Sequence, residues 1–198
     1  MNIGLTGGIA TGKSTVSSLM VRKGALLVDA DVIAREVMLP GHPVLAEVAA
    51  HFGQVILLPD GQLDRKKLGE MIFNNPEQRL ALNRITHPAI RREIRSRMEA
   101  YEAAEPDRLV VVDIPLLYES ELQSLFSGVL VVYVPRAVQL ERLMRRDGIT
   151  EEQALARLNS QMDIELKKDM ADYVIDNSGS LAETGRQLDA LWTRITKR

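Results

Sequence analysis

Short apolar runs rich in β-branched residues alternate along the chain with longer segments in which apolar residues recur at helical spacing. The strand candidates are the runs 2–5, 25–28, 109–113, 129–134 and 173–175. The third and fourth runs are nearly continuously apolar, as expected for strands that are covered on both faces. Because helical segments separate the strands, the pattern predicts an α/β protein with a parallel sheet and right-handed crossovers.

Proline, glycine and capping residues mark where the predicted helices begin and end. We expect His87-Pro88 to break one helix and to begin another that continues to about Tyr101. The other markers share a position at a predicted helix end: Gly24 after the first helix, Pro40-Gly41 closing a helix that starts near Asp31, Pro43 and Gly53 bounding the next, Asp64 before 65–73, Asn75-Pro76-Glu77 starting another, and the capping boxes Thr150 with Gln153 and Ser180 with Glu183.

Two helical regions exceed what a minimal alternating sheet needs. Residues 60–104 form a helical block between the second and third strands, and residues 136–168 form a helical hairpin that is interrupted at Asp147-Gly148. The remaining segments, 1–59, 105–135 and 169–198, then make up the core that holds the sheet. Helical additions of this kind can gather a substrate and close over it, which keeps water out of the reaction.

The stretch from Gly7 to Ser14 matches the phosphate-loop pattern G-x-x-x-x-G-K-[ST] at every fixed position. An apolar run leads into it and an amphipathic run leaves it, which is the strand–loop–helix context that the motif requires. The loop N–H groups and the positive end of the following helix attract phosphate oxygens. We therefore expect Lys13 to reach the β- and γ-phosphates of a nucleoside triphosphate and the Ser14 hydroxyl to bind Mg²⁺.

Composition narrows the class of protein without changing this interpretation. The chain has 198 residues, 45% of them hydrophobic, with a net charge of −2, a pI of about 6.0 and no cysteine. These values argue against a nucleic-acid binder, a disulfide framework and a thiolate metal site. No apolar run approaches the length of a membrane span, and the first strand begins at about Asn2, so we expect a cytoplasmic protein with neither a membrane nor an obligatory protein partner.

Acidic residues at strand ends are the candidate catalytic and magnesium-binding groups. Asp29 and Asp31 end the second strand, and an extended backbone there would project both carboxylates toward the phosphate loop. We expect Asp31 to accept the proton of the acceptor hydroxyl and to contribute to the Mg²⁺ site. The alternative is that either aspartate caps the next helix. Asp113, at the end of the third strand, resembles the carboxylate that supports Mg²⁺ in phosphate-loop proteins.

Arginines form two clusters that could bind phosphate. Arg142, Arg145 and Arg146 share one face of the first arm of the hairpin, and Arg157 lies on the second arm. Guanidinium groups there would stabilise charge on a transferring phosphoryl group, although a solvated charge run has the same pattern. In the helical block, Arg91 and Arg95 share a face that suits a phosphate or pyrophosphate group.

Five segments together resemble the dephospho-coenzyme A kinase family: GLTGGIATGKST at 4–15, VDADVIAR at 28–35, THPAIR at 86–91, DIPLLYE at 113–119 and DYVIDN at 172–177. The resemblance covers nearly the whole chain. It implies a P-loop fold of three α/β/α layers with a five-stranded parallel sheet, a helical substrate-binding insertion at 60–104 and a lid at 136–168. It also implies ATP-dependent phosphorylation of the ribose 3′-hydroxyl of dephospho-CoA, with Mg²⁺.

The resemblance assigns roles to particular residues. Asp31 matches the base, Lys13 and Arg142 match catalytic cations, and Ser14, Asp31 and Asp113 match the metal site. The expected ATP-binding residues are Gly8, Ile9, Ala10, Thr11, Gly12, Lys13, Ser14, Thr15, Arg146 and Asn177. The expected acceptor-binding residues are Arg35, His87, Arg91, Leu116 and Leu117.

The sequence also departs from the family pattern at three positions. Ala10 and Thr11 stand where the family often has Gly and Ser, and we expect a negative φ at Ala10 because it has a Cβ atom. Tyr118 stands where phenylalanine is common, and we expect its hydroxyl to be hydrogen-bonded or solvated.

Two other functions fit the phosphate loop. A different small-metabolite or nucleotide kinase could use the same core, and it would differ in its acceptor. A GTP-dependent switch would carry a guanine-selecting Asn-Lys-x-Asp segment, which this sequence lacks. Asp113-Ile114-Pro115-Leu116 also lacks the glycine of a switch Asp-x-x-Gly segment.

Overall fold

The computed structural model describes residues 1–73 and 75–196. Five parallel strands form one sheet in the order β2-β3-β1-β4-β5, as the alternating pattern predicts. The strands are β1 Asn2–Gly7, β2 Leu26–Asp29, β3 Val110–Asp113, β4 Val129–Tyr133 and β5 Tyr173–Asp176. Each lies within two residues of its predicted position. No helix among the described residues is both long and apolar enough to cross a membrane.

The chain divides into two units, residues 1–28 with 100–198 and residues 29–99. The first unit contains the sheet and the helices α1 Lys13–Arg22, α6 Arg136–Asp147, α7 Glu151–Asn159, α8 Ile164–Asp169 and α9 Leu181–Thr196. The second contains α2 Ala30–Glu36, α3 Pro43–Phe52, α4 Arg65–Phe73 and most of α5, which runs Pro76–Ala104. Short 3₁₀ turns lie at Gln54–Ile56 and Gln123–Leu125.

The core of the first unit lies between the sheet and the helices α1 and α9. Ile3 and Leu5 of β1 are fully buried against Val16 of α1 and Leu188 of α9. Helix α8 packs on β4. Because β1 is the central strand, the loop that follows it lies between the carboxyl ends of β3 and β4, where α/β proteins of this kind bind ligands. The fold therefore places the phosphate loop at the centre of the carboxyl edge of the sheet.

The unit 29–99 is helical. Four of its aliphatic side chains are fully buried: Ile33, Val48, Ile56 and Ile94. An ion pair between Arg97 of α5 and Glu36, the last residue of α2, connects two of its helices.

Two predicted helix ends are wrong. Helix α5 continues through Pro88 because Ala89, Ile94 and Met98 extend its buried face beyond the exposed proline, so tertiary packing outweighs the lost hydrogen bond. Helix α2 ends at Glu36, before Pro40-Gly41, because tight turns follow it: Met38 N–H donates to Arg35 O and Leu39 N–H to Glu36 O. The predicted capping boxes at Thr150 and Ser180 are confirmed.

Candidate active site

The phosphate loop turns sharply between β1 and α1. Gly12 precedes the first residue of α1 with a φ of +82°, and a Cβ atom there would collide with the Asn177 amide. Both the backbone angle and the lack of space therefore require glycine at this position. The buried Thr11 closes the loop, because its N–H and its hydroxyl both donate to Gly8 O, at 3.3 and 2.8 Å.

The expectation of a negative φ at Ala10 is wrong, since its φ is +61°. The bond from Thr11 N–H to Gly8 O makes Ala10 the third residue of a tight turn, a position at which several turn types need a positive φ. A non-glycine residue in this region is disfavoured by roughly 1–2 kcal/mol. The loop therefore holds a strained residue beside its phosphate-binding amides.

Two glutamines hold the residue next to that strained position. Gln139 of α6 donates its Nε2 to Ile9 O at 2.8 Å, and Gln161, after α7, accepts from Ile9 N–H at 2.9 Å. Gln139 is buried, with 3% of its surface exposed. Sequence analysis missed Gln139 because a glutamine that bonds across 130 residues of chain has no local signature. Both backbone polar groups of Ile9 are thus fixed by the hairpin region.

The loop lines a cavity of about 640 Å³. Its walls include Arg142, Arg145 and Arg146, which confirms that these three share one face of α6. The other lining residues come from the phosphate loop and from segments beside it: Gly7, Gly8, Ile9, Ala10, Thr11, Gly12, Lys13, Ser14, Thr15, Pro115, Gln161, Asn177 and Leu181. A cavity lined by loop amides and three guanidinium groups suits a polyphosphate.

The two arms of the hairpin are joined through Asp147. Arg146 and Arg157 both donate to its carboxylate, Arg157 at 2.5 Å. The hydrogen bond from Arg146, with the charges of both arginines, lowers the pKa of Asp147 below its usual value. Arg157 thus binds the opposite arm, whereas Arg142 donates to Asn177 O at 2.9 Å.

Lys13 of the phosphate-loop motif contacts the end of the third strand. The Lys13 ammonium forms an ion pair with Asp113, whose carboxylate lies at the end of β3 and is only 6% exposed. The Ser14 hydroxyl belongs to an exposed residue in the first turn of α1. The structure therefore brings together two residues that the sequence places 100 positions apart.

Asn177 bridges the loop and the last helix. Its Nδ2 donates to Thr11 O and its Oδ1 accepts from the hydroxyl of Thr184, both at 2.8 Å. Thr184, in the first turns of α9, is fully buried and was not singled out from the sequence. The Thr11 carbonyl can only accept, so it requires the Nδ2 end of the Asn177 amide to face the loop.

Comparison with known proteins identifies this arrangement. A family model described as Dephospho-CoA kinase matches residues 1–183. The chain belongs to the dephospho-CoA kinase family. A relative of that name from Bacillus licheniformis is 51% identical over 98% of both chains, and one from Carboxydothermus hydrogenoformans is 50% identical over 94% of this chain and 90% of its own. The solved dephospho-CoA kinase from Campylobacter jejuni superposes with a TM-score of 0.77 at 34% identity, covering 99% of this chain and 97% of that one.

Membership of the dephospho-CoA kinase family confirms the resemblance that the sequence motifs indicated, and it makes the chain a kinase. The fold is likewise that of a P-loop kinase with three α/β/α layers. The roles of individual residues remain predictions, and their positions differ in part from what the sequence suggested.

The expectation that Asp29 and Asp31 project from one extended strand is wrong. Asp29 caps α2, because its Oδ1 accepts from Asp31 N–H at 2.8 Å and from Val32 N–H at 3.1 Å. Helix α2 already begins at Ala30, so Asp31 lies in its first turn, where it is exposed. Of the two open possibilities, capping is therefore confirmed for Asp29.

The candidate acceptor residues lie in both units. Arg35 is exposed in the last turn of α2, and His87 and Arg91 lie one turn apart on α5. Burial and the charge of Arg91 lower the pKa of His87. Leu116 is exposed, whereas Leu117 is fully buried and packs against Gly4 of β1.

Arg91 and Arg95 also line a smaller cavity of about 220 Å³ on α5. Arg92, Ser96 and Glu99 complete its walls. The predicted sharing of a helix face by Arg91 and Arg95 is thus confirmed.

Contrary to expectation, the Tyr118 hydroxyl is buried and has no hydrogen bond within the described part of the chain. The residue is 5% exposed, and its Oη has no hydrogen-bond partner among the residues that the structure describes. Burial, together with the charge of Asp172, raises the pKa of Tyr118 to about 12. The phenylalanine that is common at this position in the family would leave no such unpaired hydroxyl.

Proposed function

We propose that the chain transfers the γ-phosphoryl group of ATP to the ribose 3′-hydroxyl of dephospho-CoA, giving CoA and ADP in the last step of coenzyme A synthesis. The observation that carries the proposal is the single cavity that joins the phosphate loop to the guanidinium groups of α6. The relatives named above, about half identical over nearly the whole chain, support the choice of acceptor. We place the reaction in the cytoplasm, because ATP is its phosphoryl donor.

The donor half of the proposed site follows from charge and backbone geometry. The loop amides from Gly8 to Thr15 and the N-terminus of α1 bind the phosphates of ATP. Lys13 binds the β- and γ-phosphates, and Arg142 and Arg146 stabilise the charge that spreads over the phosphoryl group during transfer. Asn177 holds the loop at Thr11 beside the bound nucleotide. Residues 136–168 act as the lid.

The oxygen donors near the loop fit Mg²⁺. Ser14 offers a hydroxyl and Asp113 a carboxylate, which are the hard oxygen ligands that Mg²⁺ prefers. Among the described residues no group of three acidic or histidine side chains could hold a metal ion by itself. That agrees with an ion that takes its other ligands from the triphosphate and water. When bound, Mg²⁺ neutralises charge on the β- and γ-phosphates.

The acceptor half rests on Asp31. Its carboxylate follows the carboxyl end of β2 by two residues and is exposed, so it can accept the proton of the 3′-hydroxyl as that oxygen attacks phosphorus. Asp31 also contributes to the Mg²⁺ site. Arg35, His87, Arg91 and Leu116 contact the acceptor, with the helical region 60–104 as its binding insertion. Leu117, which the sequence also suggested, is fully buried and packs in the interior instead.

The decisive experiment follows the product by mass. With ATP and Mg²⁺, dephospho-CoA should gain one phosphoryl group, whereas nucleoside monophosphates in a parallel panel should not. Asp31→Asn should lower kcat by about 10²–10⁴-fold, because a carboxamide cannot take the proton. The affinity for ATP, measured by calorimetry, should be retained.

Asp29→Asn is the matched control. Asparagine caps a helix as well as aspartate does, so this variant should keep its turnover. Transfer to a nucleoside monophosphate but not to dephospho-CoA would refute the proposed acceptor. An Asp31→Asn variant with nearly full turnover would show that Asp31 is not the base.

A further inference from the structure

A lysine side chain is completely buried where the phosphate loop leaves the sheet. Lys167 of α8 has no exposed surface. Its Nζ lies 2.8 Å from Glu119 Oε1, 3.2 Å from Pro115 O and 3.4 Å from Gly7 O. Because an ammonium group has three N–H donors, these three acceptors satisfy it completely.

The Lys167 ammonium lies just beyond the point where strands β1 and β3 stop pairing, next to carbonyl groups that need a donor. Strands β1 and β3 pair as far as Leu5 with Asp113, and Ile114 N–H donates to Leu5 O. Pro115 has no N–H with which to continue the pairing. The Thr6 hydroxyl donates to Pro115 O at 3.1 Å, which is one connection beyond the sheet pairing. The carbonyl oxygens of Gly7 and Pro115 are both acceptors and cannot bond each other, so Lys167 adds a second connection by donating to both.

Glu119, the ion-pair partner of Lys167, also bonds to the hairpin region. Glu119 Oε1 also accepts from Met162 N–H at 2.9 Å. Gln161 accepts from Ile9 N–H, as described above. Residues 161–167 are therefore bonded to the phosphate loop at Ile9 and Gly7, and to the segment 113–119 at Pro115 and Glu119.

We propose that Lys167 is a positioning residue for phosphoryl transfer, which acts by fixing the phosphate loop relative to the segment 113–119 that carries Asp113. The proposal rests on the donor half of the function proposed above. A methionine of similar length would fill the same space without burying a charge. Unlike methionine, the ammonium donates a directional bond to a carbonyl group on each segment. Together with the bond from Thr6 to Pro115, these bonds hold the segment that leads to Lys13 beside the segment that carries Asp113.

The test compares Lys167→Met, Glu119→Gln, the double variant and Lys168→Met. Lys168 is the matched control, because it is the next residue of α8 and is 40% exposed. Lys167→Met should lose stability, since it leaves the Glu119 carboxylate without its cation. The double variant should recover stability, because it holds no unpaired charge, while the two carbonyls remain unbridged. We expect kcat to fall by about tenfold or more in both variants that lack Lys167.

The split between stability and turnover decides the outcome. The proposal is overturned by a double variant that recovers kcat together with its thermal stability, or by Lys167→Met with kcat within about twofold of the parent protein. If Lys167→Met does not fold at the assay temperature, the kcat of the double variant alone tests the proposal. If neither folds, Lys167 serves folding and the proposal fails. Lys168→Met should keep kcat within about twofold.

A second measurement separates this proposal from the choice of acceptor. The affinity of the protein for a non-hydrolysable ATP analogue with Mg²⁺ can be measured without any acceptor present. If the parent protein does not phosphorylate dephospho-CoA, the proposed function fails, and the analogue tests Lys167 by itself. Binding about tenfold weaker in the double variant would then support the positioning role, and unchanged binding would refute it.

Discussion

Two buried tyrosines differ in what their hydroxyl groups contact. Tyr133, at the end of β4, donates to Glu165 at 2.6 Å, and this bond is the main reason that its pKa is raised to about 12. Tyr118 is equally buried but has no partner among the described residues. A buried hydroxyl without a hydrogen bond costs stability, because it has lost its water without replacement.

Tyr118→Phe should therefore stabilise the protein. We expect the free energy of unfolding to rise by about 1 kcal/mol, measured by chemical denaturation. The control Tyr133→Phe should lower it by about 1 kcal/mol, because it removes the hydrogen bond from Tyr133 to Glu165. A loss of stability in Tyr118→Phe would mean that its hydroxyl has a partner after all.

At the scale of single residues, the sequence predicted the residues of the phosphate-loop motif but missed the residues that hydrogen-bond to the loop and hold it in place. Lys13 and Asp113 were found because their types recur at strand ends that bind nucleotides. Gln139 and Lys167 could not be found, because each acts through a contact with a residue far away in the chain. Thr184 contacts Asn177, a near neighbour in sequence, but a single threonine inside a helix matches no motif. The strained φ of Ala10 was missed for a different reason: the turn closed by Thr11 N–H and Gly8 O requires it, whereas the presence of a Cβ atom alone suggested a negative value.

At the scale of elements, α5 contains a proline where helices seldom tolerate one. Pro88 lies inside Pro76–Ala104 and is exposed. A proline in a helix interior lacks one backbone hydrogen bond, and its ring crowds the carbonyl one turn earlier. Pro88→Ala should therefore raise the free energy of unfolding, by about 1–3 kcal/mol.

Pro76 provides the control on the same helix. It is the first residue of α5, where the missing N–H costs nothing and the fixed φ favours the helix. Pro76→Ala should thus leave the free energy of unfolding unchanged or slightly lower, measured by the same denaturation. If Pro88→Ala gave no gain over Pro76→Ala, α5 would not be a continuous helix at that point.

The elements show where local rules hold and where packing overrides them. Capping boxes at Thr150 and Ser180 and the helix end at Gly24 were predicted correctly, because each depends on a few neighbouring residues. The break at His87-Pro88 was predicted by an equally local rule and is wrong. There the buried face of α5 continues on both sides of the proline, which the local rule does not consider.

At the scale of the whole molecule, the strands were predictable but their order was not. Apolar runs identify buried strands, and helices between them imply parallel pairing. The order β2-β3-β1-β4-β5 depends on which strands meet across long stretches of chain. It is this order that places β3, with Asp113, beside the strand that leads into the phosphate loop.

The donor cavity links nucleotide binding to the stability of the folded chain. A ligand that binds only the folded state stabilises it by about 2.7 kcal/mol at one hundred times its Kd. With ATP and Mg²⁺ at that ratio, the free energy of unfolding should rise by this amount. Lys13→Ala removes the cation that binds the β- and γ-phosphates, and a hundredfold weaker Kd would leave only about 0.4 kcal/mol at the same concentration. Denaturation curves with and without nucleotide measure both values.

Lys23→Ala is the control, because it changes an exposed lysine just after α1. This variant should keep the full stabilisation of about 2.7 kcal/mol by nucleotide. A Lys13→Ala variant that also kept this stabilisation would refute the role of Lys13 in binding ATP.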